Sequence, residues 1–364
     1  EEAPDDSNKT DYIEQIVVTG TASGTAIRKV DASYASTSLS AEDILKLAPK
    51  STAELFRAVP GVWAESSGGV SGANVFVRGF PSNGDAPFLT VQLQGVGIYT
   101  PPSISFLENS TLFRVDETIQ FMDALRGGPA SVVSNGQPIS EDFYYMIGGY
   151  VQQSSGVRDA GFTSEKGNQF TINLTKELDN GKINFYTRIT DDRGAWYTPT
   201  ALIDGVDNSF VHLGTLNRQA TINYGPEDDS TSEAFDFGEG RGWDGAVSGG
   251  SINLELGDGW TFVDRFSFTK GDADTLGLVT NGDPVTLSTV ADSGDTATGT
   301  VTGDTYAGST VVQQIGRWVV RKEIESFTND LALTKTTDTI KASVGLFSSS
   351  YSSNDWWALG NQAY

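Results

Sequence analysis

From residue 140 onward, apolar and polar residues alternate along the chain. Phe170, Ile172 and Leu174 take every second position, with polar residues between them. An Asp-Asn-Gly turn at 179–181 follows, after which the same alternation resumes. This period of two predicts antiparallel strands with one apolar and one polar face, joined as a hairpin.

The hairpin pattern recurs twice, around short turns at 257–259 and 335–339. Long polar stretches rich in Gly, Asp, Ser and Thr lie between the hairpins, at 191–213 and 271–308. Short turns at one end and long polar loops at the other are typical of outer-membrane β-barrels. No apolar run approaches the roughly 18 residues of a membrane-spanning helix. Asp264 interrupts an apolar strand face, which predicts either a bulge or a position near the membrane interface.

The N-terminal third of the chain has a different pattern. Between residues 40 and 59 the apolar positions recur at helical spacing and are interrupted at Pro49. Ser40 and Ser51 are each followed by an acidic residue three positions later, which predicts two short helices with N-caps. Short β-rich runs follow Pro60, so we expect a mixed α+β unit that ends near residue 139.

The charge balance and the rare residue types exclude several function classes. The chain has 364 residues, with 47 acidic and 24 basic side chains and a net charge of -23, which disfavours binding to nucleic acid or to anionic lipid. There is no cysteine, so disulfides, thiolate metal sites and cysteine nucleophiles are excluded. The single histidine, His212, cannot supply a His-rich zinc site or a two-histidine haem clamp.

The first twenty residues predict an exported protein with an exposed leading segment. The chain starts without methionine or an apolar signal region, which predicts that a signal peptide has already been removed. Residues 1–13 are acidic and polar and predict a flexible tail. Residues 14–20 form a short β-branched run that is typical of an edge strand, and it also suits strand addition to a partner.

Four stretches resemble motifs of the plug domain of TonB-dependent outer-membrane receptors, in the order that the family has them. They are 51–62 with its Pro-Gly-Val turn, 77–80 (Val-Arg-Gly-Phe), 94–99 (Gln-Gly-Val-Gly-Ile-Tyr) and 125–131 (Leu-Arg-Gly-Gly-Pro-Ala-Ser). Residues 14–20 are similar to the family's TonB box. Gln94, Gly97 and the additional glycine in 125–131 depart from the usual motifs.

The resemblance implies a transmembrane β-barrel of the 22-stranded type with an N-terminal α+β plug domain inside the lumen. The expected divisions are a tail at 1–13, a coupling segment at 14–20, a plug at 21–139 and barrel strands with long extracellular loops at 140–364. A 22-stranded barrel needs roughly 220 residues for its strands alone, about as many as follow Ser140. We therefore expect that the sequence omits segments of the barrel and stops before the barrel closes.

The implied function is active import of a scarce ligand, a ferric siderophore, across the outer membrane of a Gram-negative bacterium. The implied partners are the periplasmic domain of TonB with its inner-membrane energising complex, outer-membrane lipid and lipopolysaccharide, and the ligand itself. Oligosaccharide, cobalamin and aromatic ligands stay open. No catalytic residue, cofactor or metal site is predicted.

The resemblance also implies three sets of site residues. The TonB-coupling residues are Glu14, Gln15, Ile16, Val17, Val18 and Thr19. Arg78 and Arg126 are the expected plug latch, pairing with barrel carboxylates, although exposed turn arginines would look the same. Asn83, Asp85 and Tyr99 are expected to face the ligand, with ordinary turn chemistry as the alternative.

Two other function classes compete with import. An acidic, secreted, β-rich glycoside hydrolase would also be rich in carboxylates and tryptophans and lack cysteine. A passive porin would have the same strand pattern. Neither accounts for a tail, a coupling segment and plug motifs in that order.

Overall fold

The computed structural model describes residues 16–17, 27–28, 36–65, 73–80, 89–99, 111–125, 130–133, 137–156, 160–197, 202–203, 206–207, 219–226, 229–280, 282–291, 296–299 and 302–363. Two parts are in contact within these ranges. An α+β unit, residues 36–133, packs against a large antiparallel sheet that begins at Gln137. This is the order of parts that the sequence pattern predicts.

Two short helices lie near the start of the α+β unit, α1 Ala41–Leu47 and α2 Thr52–Phe56. The Ser40 side chain accepts a hydrogen bond from the backbone of Asp43, and the Asp43 carboxylate accepts one from the backbone of Ser40 at 3.0 Å. This capping box satisfies N–H groups that have no partner inside the helix, and its hydrogen bonds lower the pKa of Asp43. Ser51 accepts a backbone hydrogen bond at the start of α2. Both predicted N-caps are confirmed.

The strands of the N-terminal part are short. In chain order they are β1 Ile16–Val17, β2 Ile27–Arg28, β3 Ser36–Ser40, β4 Val62–Glu65, β5 Asn74–Val77, β6 Val91–Leu93, β7 Val96–Gly97, β8 Phe121–Leu125 and β9 Ala130–Val133. Five of them form one sheet in the order β3-β8-β9-β6-β7, while β1 pairs with β2 and β4 with β5. The core of the unit consists of buried apolar side chains, among them Leu55, Phe56, Leu93, Leu112, Phe113 and Met122.

The second part is dominated by long strands. In chain order its strands are β10 Gln137–Ser140, β11 Phe143–Ser154, β12 Glu165–Leu178, β13 Gly181–Gly194, β14 Leu202–Ile203, β15 Val206–Asp207, β16 Gln219–Tyr224, β17 Thr231–Asp236, β18 Arg241–Gly257, β19 Trp260–Thr280, β20 Val285–Thr286, β21 Thr296–Thr298, β22 Thr305–Ala307, β23 Val311–Val312, β24 Gln314–Thr336 and β25 Lys341–Ala363, with a short helix α3 Leu287–Val290. Eight of these strands form one antiparallel sheet in the order β10-β11-β12-β13-β18-β19-β24-β25.

The three predicted hairpins are confirmed as β12–β13, β18–β19 and β24–β25. The connections at 179–180, 258–259 and 337–340 define what we call the short-turn end of the sheet. The opposite edge, the long-loop end, carries the connections 195–240 and 281–313, which contain the small strand pairs and α3. This asymmetry is the one that outer-membrane barrels show.

The two faces of the sheet have opposite chemistry. Side chains on the inner face, which contacts the α+β unit, are polar and buried, among them Gln169, Thr171, Arg188, Thr190, Thr269 and Ser326. Side chains on the outer face are apolar and exposed, among them Ile147, Phe170, Ile183, Phe185, Phe268 and Phe327. A water-soluble sheet would bury its apolar face. A sheet with a polar inner face and an apolar outer face is the arrangement that a barrel wall in lipid requires.

Asp264 lies on the outer face of β19 in regular pairing. Residue pairs between β18 and β19, and between β19 and β24, continue without a shift through this position. The bulge alternative is therefore wrong. Asn329 Nδ2 donates a hydrogen bond to Asp264 Oδ1 at 2.6 Å, which satisfies part of the carboxylate close to the short-turn end.

We expect Phe185→Arg to lower the stability of the membrane-inserted form. Phe185 lies on the outer face of β13 and is exposed, and an arginine facing the middle of a bilayer costs about 2–4 kcal/mol. Urea titration of the protein folded into lipid vesicles, followed by tryptophan fluorescence, measures the change. Asp191→Arg is the matched control on the outer face of the same strand near its long-loop end, where the cost is about 0–1 kcal/mol. Equal losses in the two variants would contradict the assignment of the lipid-facing side.

The sequence also predicts the number of barrel strands and the limits of the domains. The sheet has eight strands among the described residues, and the 22-stranded size stays a prediction. The predicted division between residues 139 and 140 lies within β10, which pairs with β11. The domain limits stay predictions. Among the described residues, no helix has the length and apolar character to cross a membrane.

Candidate functional site between the N-terminal unit and the sheet

Residues 111–119 of the α+β unit run along the inner face of β12 and β13. Leu112 and Phe113 are completely buried in the core of the unit. The polar residues that follow them contact the sheet. This segment is where the two parts of the molecule are joined by charged groups.

Two ion pairs with opposite polarity connect the segment to β13. An Arg114 guanidinium nitrogen lies 2.5 Å from Asp192 Oδ2, and Arg188 Nη1 lies 3.5 Å from Asp116 Oδ1. All four side chains are at most 8% exposed. Each part therefore contributes one cation and one anion, and each buried charge is compensated by a charge from the other part.

Gln169 on β12 uses its whole side-chain amide in this contact. Its Oε1 accepts hydrogen bonds from the Arg114 backbone at 2.9 Å and from Thr190 Oγ1 at 3.0 Å. Its Nε2 donates to the Arg114 carbonyl at 3.0 Å and to Asp116 Oδ2 at 2.7 Å. A buried amide with all its hydrogen bonds made holds the backbone of the segment in one position. We call Arg114, Asp116, Gln169, Arg188 and Asp192 the clasp.

The clasp is supported by neighbouring groups on the same segment. Thr118 Oγ1 donates to the Asp116 carboxylate and accepts a hydrogen bond from Arg188 Nη2 at 2.8 Å. The Arg188 guanidinium also lies over the ring of Phe113, with 5.9 Å between its carbon and the ring centroid. Arg114 donates to the carbonyl of Lys50 at 2.5 Å. The clasp is thus joined to the connection between α1 and α2 through Lys50, and to the core of the α+β unit through Phe113.

Further polar contacts, outside the clasp, join the α+β unit to the sheet. Tyr186 Oη donates to the Leu93 carbonyl at 3.3 Å, and Ser326 Oγ donates to the Ile98 carbonyl at 3.2 Å. Thr269 Oγ1 donates to the same Ile98 oxygen. These side chains satisfy the backbone carbonyl of Leu93 at the end of β6 and that of Ile98 directly after β7.

We expect Arg188→Met to destabilise the protein by about 3–5 kcal/mol, because it leaves the buried Asp116 carboxylate without its cation. The double variant Arg188→Met, Asp116→Leu removes both charges and is expected to regain most of that loss. Chemical unfolding in detergent micelles measures both. Lys176→Met is the control, because its pair with Asp142 is solvent-exposed and such pairs contribute about 0–1 kcal/mol. A loss in Arg188→Met no larger than in this control would contradict the role of the buried pair.

Tyr99 is the predicted ligand-facing residue that the structure describes, and it is buried. Its ring packs edge-on against Tyr351 of β25, with 6.2 Å between the centroids. Burial, and next the charge of Asp355, raises the pKa of Tyr99 to about 12. The other two residues of this set, Asn83 and Asp85, lie outside the described residues. Contact of all three with a ligand stays a prediction.

Arg78 of the predicted latch lies in the turn after β5. Its φ is 53°, and its backbone N–H donates to the Gly61 carbonyl at 2.7 Å. Its side chain is exposed, and it forms no ion pair with a described carboxylate. Arg126 lies outside the described residues. Pairing of these two arginines with barrel carboxylates stays a prediction, while the ion pairs that are observed involve Arg114 and Arg188.

The coupling segment is described only at its centre. Ile16 and Val17 form β1, which pairs antiparallel with β2, so that Val17 lies opposite Ile27. Glu14, Gln15, Val18 and Thr19 lie outside the described residues. The β-strand character predicted for this run is confirmed at residues 16–17, and its coupling role stays a prediction.

The sequence contains a signal for the clasp that motif resemblance did not use. Arg188, Thr190 and Asp192 alternate with the outer-face residues of β13, so the charges of Arg188 and Asp192 are expected on the inner face. Two charges facing inward on one strand predict charged partners. Arg114 and Asp116 provide one charge of each sign close together in the N-terminal part. Among the described residues, no group of three His, Cys, Asp or Glu side chains is arranged to hold a metal ion.

The sequence comparison places the N-terminal part in a known domain family. Residues 28–140 match the family model described as TonB-dependent Receptor Plug Domain. No curated protein matches the chain significantly.

Three solved structures illustrate the similarity in fold. BauA, the ferric preacinetobactin receptor of Acinetobacter baumannii, is 11% identical with a TM-score of 0.57, over 91% of this chain and 49% of BauA. FpvA of P. aeruginosa, bound to a heterologous pyoverdine, is 11% identical with a TM-score of 0.55, over 94% of this chain and 46% of FpvA. FpvAI in complex with pyocin S2 is 12% identical with a TM-score of 0.59, over 93% of this chain and 46% of that one. The chain thus spans about half the length of these receptors.

Proposed function

We propose, from the premise that this chain carries the plug domain of a TonB-dependent receptor and part of its barrel, that it is an active importer of the Gram-negative outer membrane. In this proposal the barrel wall is embedded in lipid and lipopolysaccharide, and no step is catalytic. The plug closes the lumen until energy from the inner-membrane proton-motive force moves it. The observation that carries the proposal is the clasp.

The clasp has the properties of a closure that holds and can be released. Its charges are buried and paired across the two parts of the molecule, so the closed position is specified by geometry as well as by packing. Its contacts are hydrogen bonds and ion pairs, which water can replace once the segment has left the sheet. A plug joined to its wall only by apolar packing would have no such defined attachment.

Coupling is proposed to occur through residues 14–20. The periplasmic domain of TonB would add a strand to this segment, and the shared backbone hydrogen bonds would carry the pulling force. Since Ile16 and Val17 pair with Ile27 and Arg28 in the structure, strand addition to TonB requires that this short pairing opens or is extended at its free edge. Two residue pairs are few enough to open readily.

A ferric siderophore is the proposed ligand class. BauA and FpvA, by the names of their structures, are a ferric preacinetobactin receptor and a receptor bound to pyoverdine. The charges buried in the described parts of this chain also favour an anionic chelate, although the whole chain is acidic. Cations outnumber anions among them: Arg114, Arg188, Arg241, Arg265 and Lys322 against Asp116, Glu165 and Asp192. Oligosaccharide, cobalamin and aromatic ligands stay open as alternatives.

Energised uptake is the test of this proposal. Cells that express the receptor should accumulate radiolabelled ferric siderophore, and a protonophore should stop accumulation while leaving surface binding intact. Uptake that continues after the protonophore would indicate a passive porin. Recovery of the protein from the soluble fraction without detergent would instead indicate a secreted hydrolase.

A further inference from the structure

A polar cavity lies beside the clasp, on the side of the long-loop end. It has a volume of about 370 Å³ and is bounded by the connection between α1 and α2, by residues 114–117 and by β11 and β12. Sites for small molecules are clefts of about 300–1,000 Å³ with a few polar groups that converge on the ligand. The cavity has the size of a sugar or an amino acid rather than of a whole chelate.

Glu165 supplies a carboxylate oxygen in this cavity that lacks a hydrogen-bond donor. The residue is 8% exposed, and its Oε1 atom accepts no hydrogen bond from any described residue. A buried carboxylate oxygen without a donor costs free energy, which a donor from outside the protein would recover. The cavity therefore presents an acceptor that the fold leaves unused.

Nearby cations do not satisfy this oxygen. The Arg114 guanidinium is held by Asp192 at 2.5 Å and by the Lys50 carbonyl at 2.5 Å. The residue Lys50 is exposed at the cavity's edge. An anionic group in the cavity could not donate a hydrogen bond to the Glu165 carboxylate. An ammonium or hydroxyl group could donate one.

The wall around Glu165 is built by specific contacts. Tyr197 Oη donates to Ser164 Oγ at 3.1 Å, and the Ala195 backbone donates to the Ser164 carbonyl at 2.7 Å. Gly156 has a φ of 81°, and a Cβ atom there would lie 2.5 Å from Tyr197 Oη and 3.5 Å from Glu165 Oε1. Glycine is thus required at 156, and the shape of the cavity is set before a ligand arrives.

We propose that this cavity is a subsite for a hydrogen-bond-donating group of the transported ligand, an ammonium or hydroxyl, with Glu165 as its acceptor. The assignment of the group to the transported ligand rests on the proposed import function. Because Arg114, which pairs with Asp192, and Asp116 both line the cavity, a ligand group in the subsite lies next to two residues of the clasp.

Binding of three matched sugars tests the subsite. Glucosamine differs from glucose by an ammonium in place of the hydroxyl at C2, and glucuronate differs from glucose by a carboxylate in place of the hydroxymethyl group at C6. They are titrated into the purified receptor in a detergent without a sugar headgroup, and binding is followed by saturation-transfer NMR. We expect wild-type affinity to fall in that order, with glucosamine at least tenfold above glucuronate. In Glu165→Gln the advantage of glucosamine over glucose is expected to disappear, and Glu165→Asp is expected to retain part of it.

The net negative charge of the chain attracts cations at many places on its surface. Glu255→Gln controls for this effect, because it removes one exposed carboxylate at the short-turn end, away from the cavity. It should keep the wild-type order. Equal binding of glucosamine in wild type and Glu165→Gln, when both unfold at the same temperature, would overturn the subsite, and so would glucuronate binding as strong as glucosamine. The measurement needs no uptake, so loss of the subsite leaves the import proposal standing, and a failed uptake experiment leaves this result unchanged.

Discussion

Cells whose receptor carries Val17→Pro are expected to lose energised uptake completely while binding ligand at wild-type affinity. Proline has no backbone N–H and fixes φ, so it removes a hydrogen bond from strand pairing at this residue. Val17 lies in β1, at the centre of the predicted coupling segment. Strand addition to TonB depends on the backbone hydrogen bonds of that segment. Accumulation and surface binding of radiolabelled ferric siderophore, measured on the same cells, separate the two effects.

Val17→Thr is the matched control for this variant. Threonine keeps the β-branched shape and the backbone N–H, so uptake is expected to stay close to wild type. Undiminished uptake by Val17→Pro would reject residues 14–20 as the coupling segment. Loss of surface binding together with uptake would show that the substitution acts on assembly, which also contradicts the expected result.

A disulfide between positions 118 and 148 is expected to stop uptake in the variant Thr118→Cys, Gly148→Cys. A Cβ atom at position 148 on β11 would lie 3.8 Å from Cβ of Thr118 in the plug, and the mean Cβ separation in disulfides is about 3.8 Å. The chain has no other cysteine, so this pair is the only bridge that can form. Import that needs the plug to leave its closed position would cease under oxidising conditions and return after reduction.

The control for the cross-link is Thr118→Cys with Gly148→Ala. It has nearly the same side-chain volume and cannot form the bridge, so its uptake should not respond to oxidant or reductant. A cross-linked receptor that imports at the rate of its reduced form would mean that the ligand passes without displacement of residues 111–119 from β11. Gel mobility with and without reductant reports how much of the protein is bridged.

Local structure in this chain follows closely from the sequence. Residues close together in the sequence determine several features by their type and period alone. These features are the Ser40 and Ser51 caps, the break at Pro49 and the three hairpins. The residues of the outer face of the sheet could also be predicted from the sequence, because alternation along a strand assigns every second side chain to one side. These are the features that the pattern predicted and the structure confirms.

Contacts between segments that are distant in the sequence were much harder to predict. Arg114 and Asp192 are far apart in sequence, and only the packing of the plug against β13 brings them within 2.5 Å. Motif resemblance drew attention to Arg78, whose side chain is exposed in a turn. The residues that join plug and wall carry no motif of their own. Tyr99 was expected in an apical loop, but its ring is buried against Tyr351, because Ile98 and Tyr99, directly after β7, lie against the inner face of the sheet.

The crossed polarity of the clasp has a consequence for motion of the plug along the wall. Arg188 and Asp192 are separated by four residues of β13, about 13 Å of strand. If the segment slid toward the short-turn end, Arg114 would come opposite Arg188, and if it slid the other way, Asp116 would come opposite Asp192. Like charges would then meet in a buried space, so partly shifted positions are disfavoured in both directions. Displacement is expected to be all-or-none, with the seated plug and the fully departed plug as the two stable states.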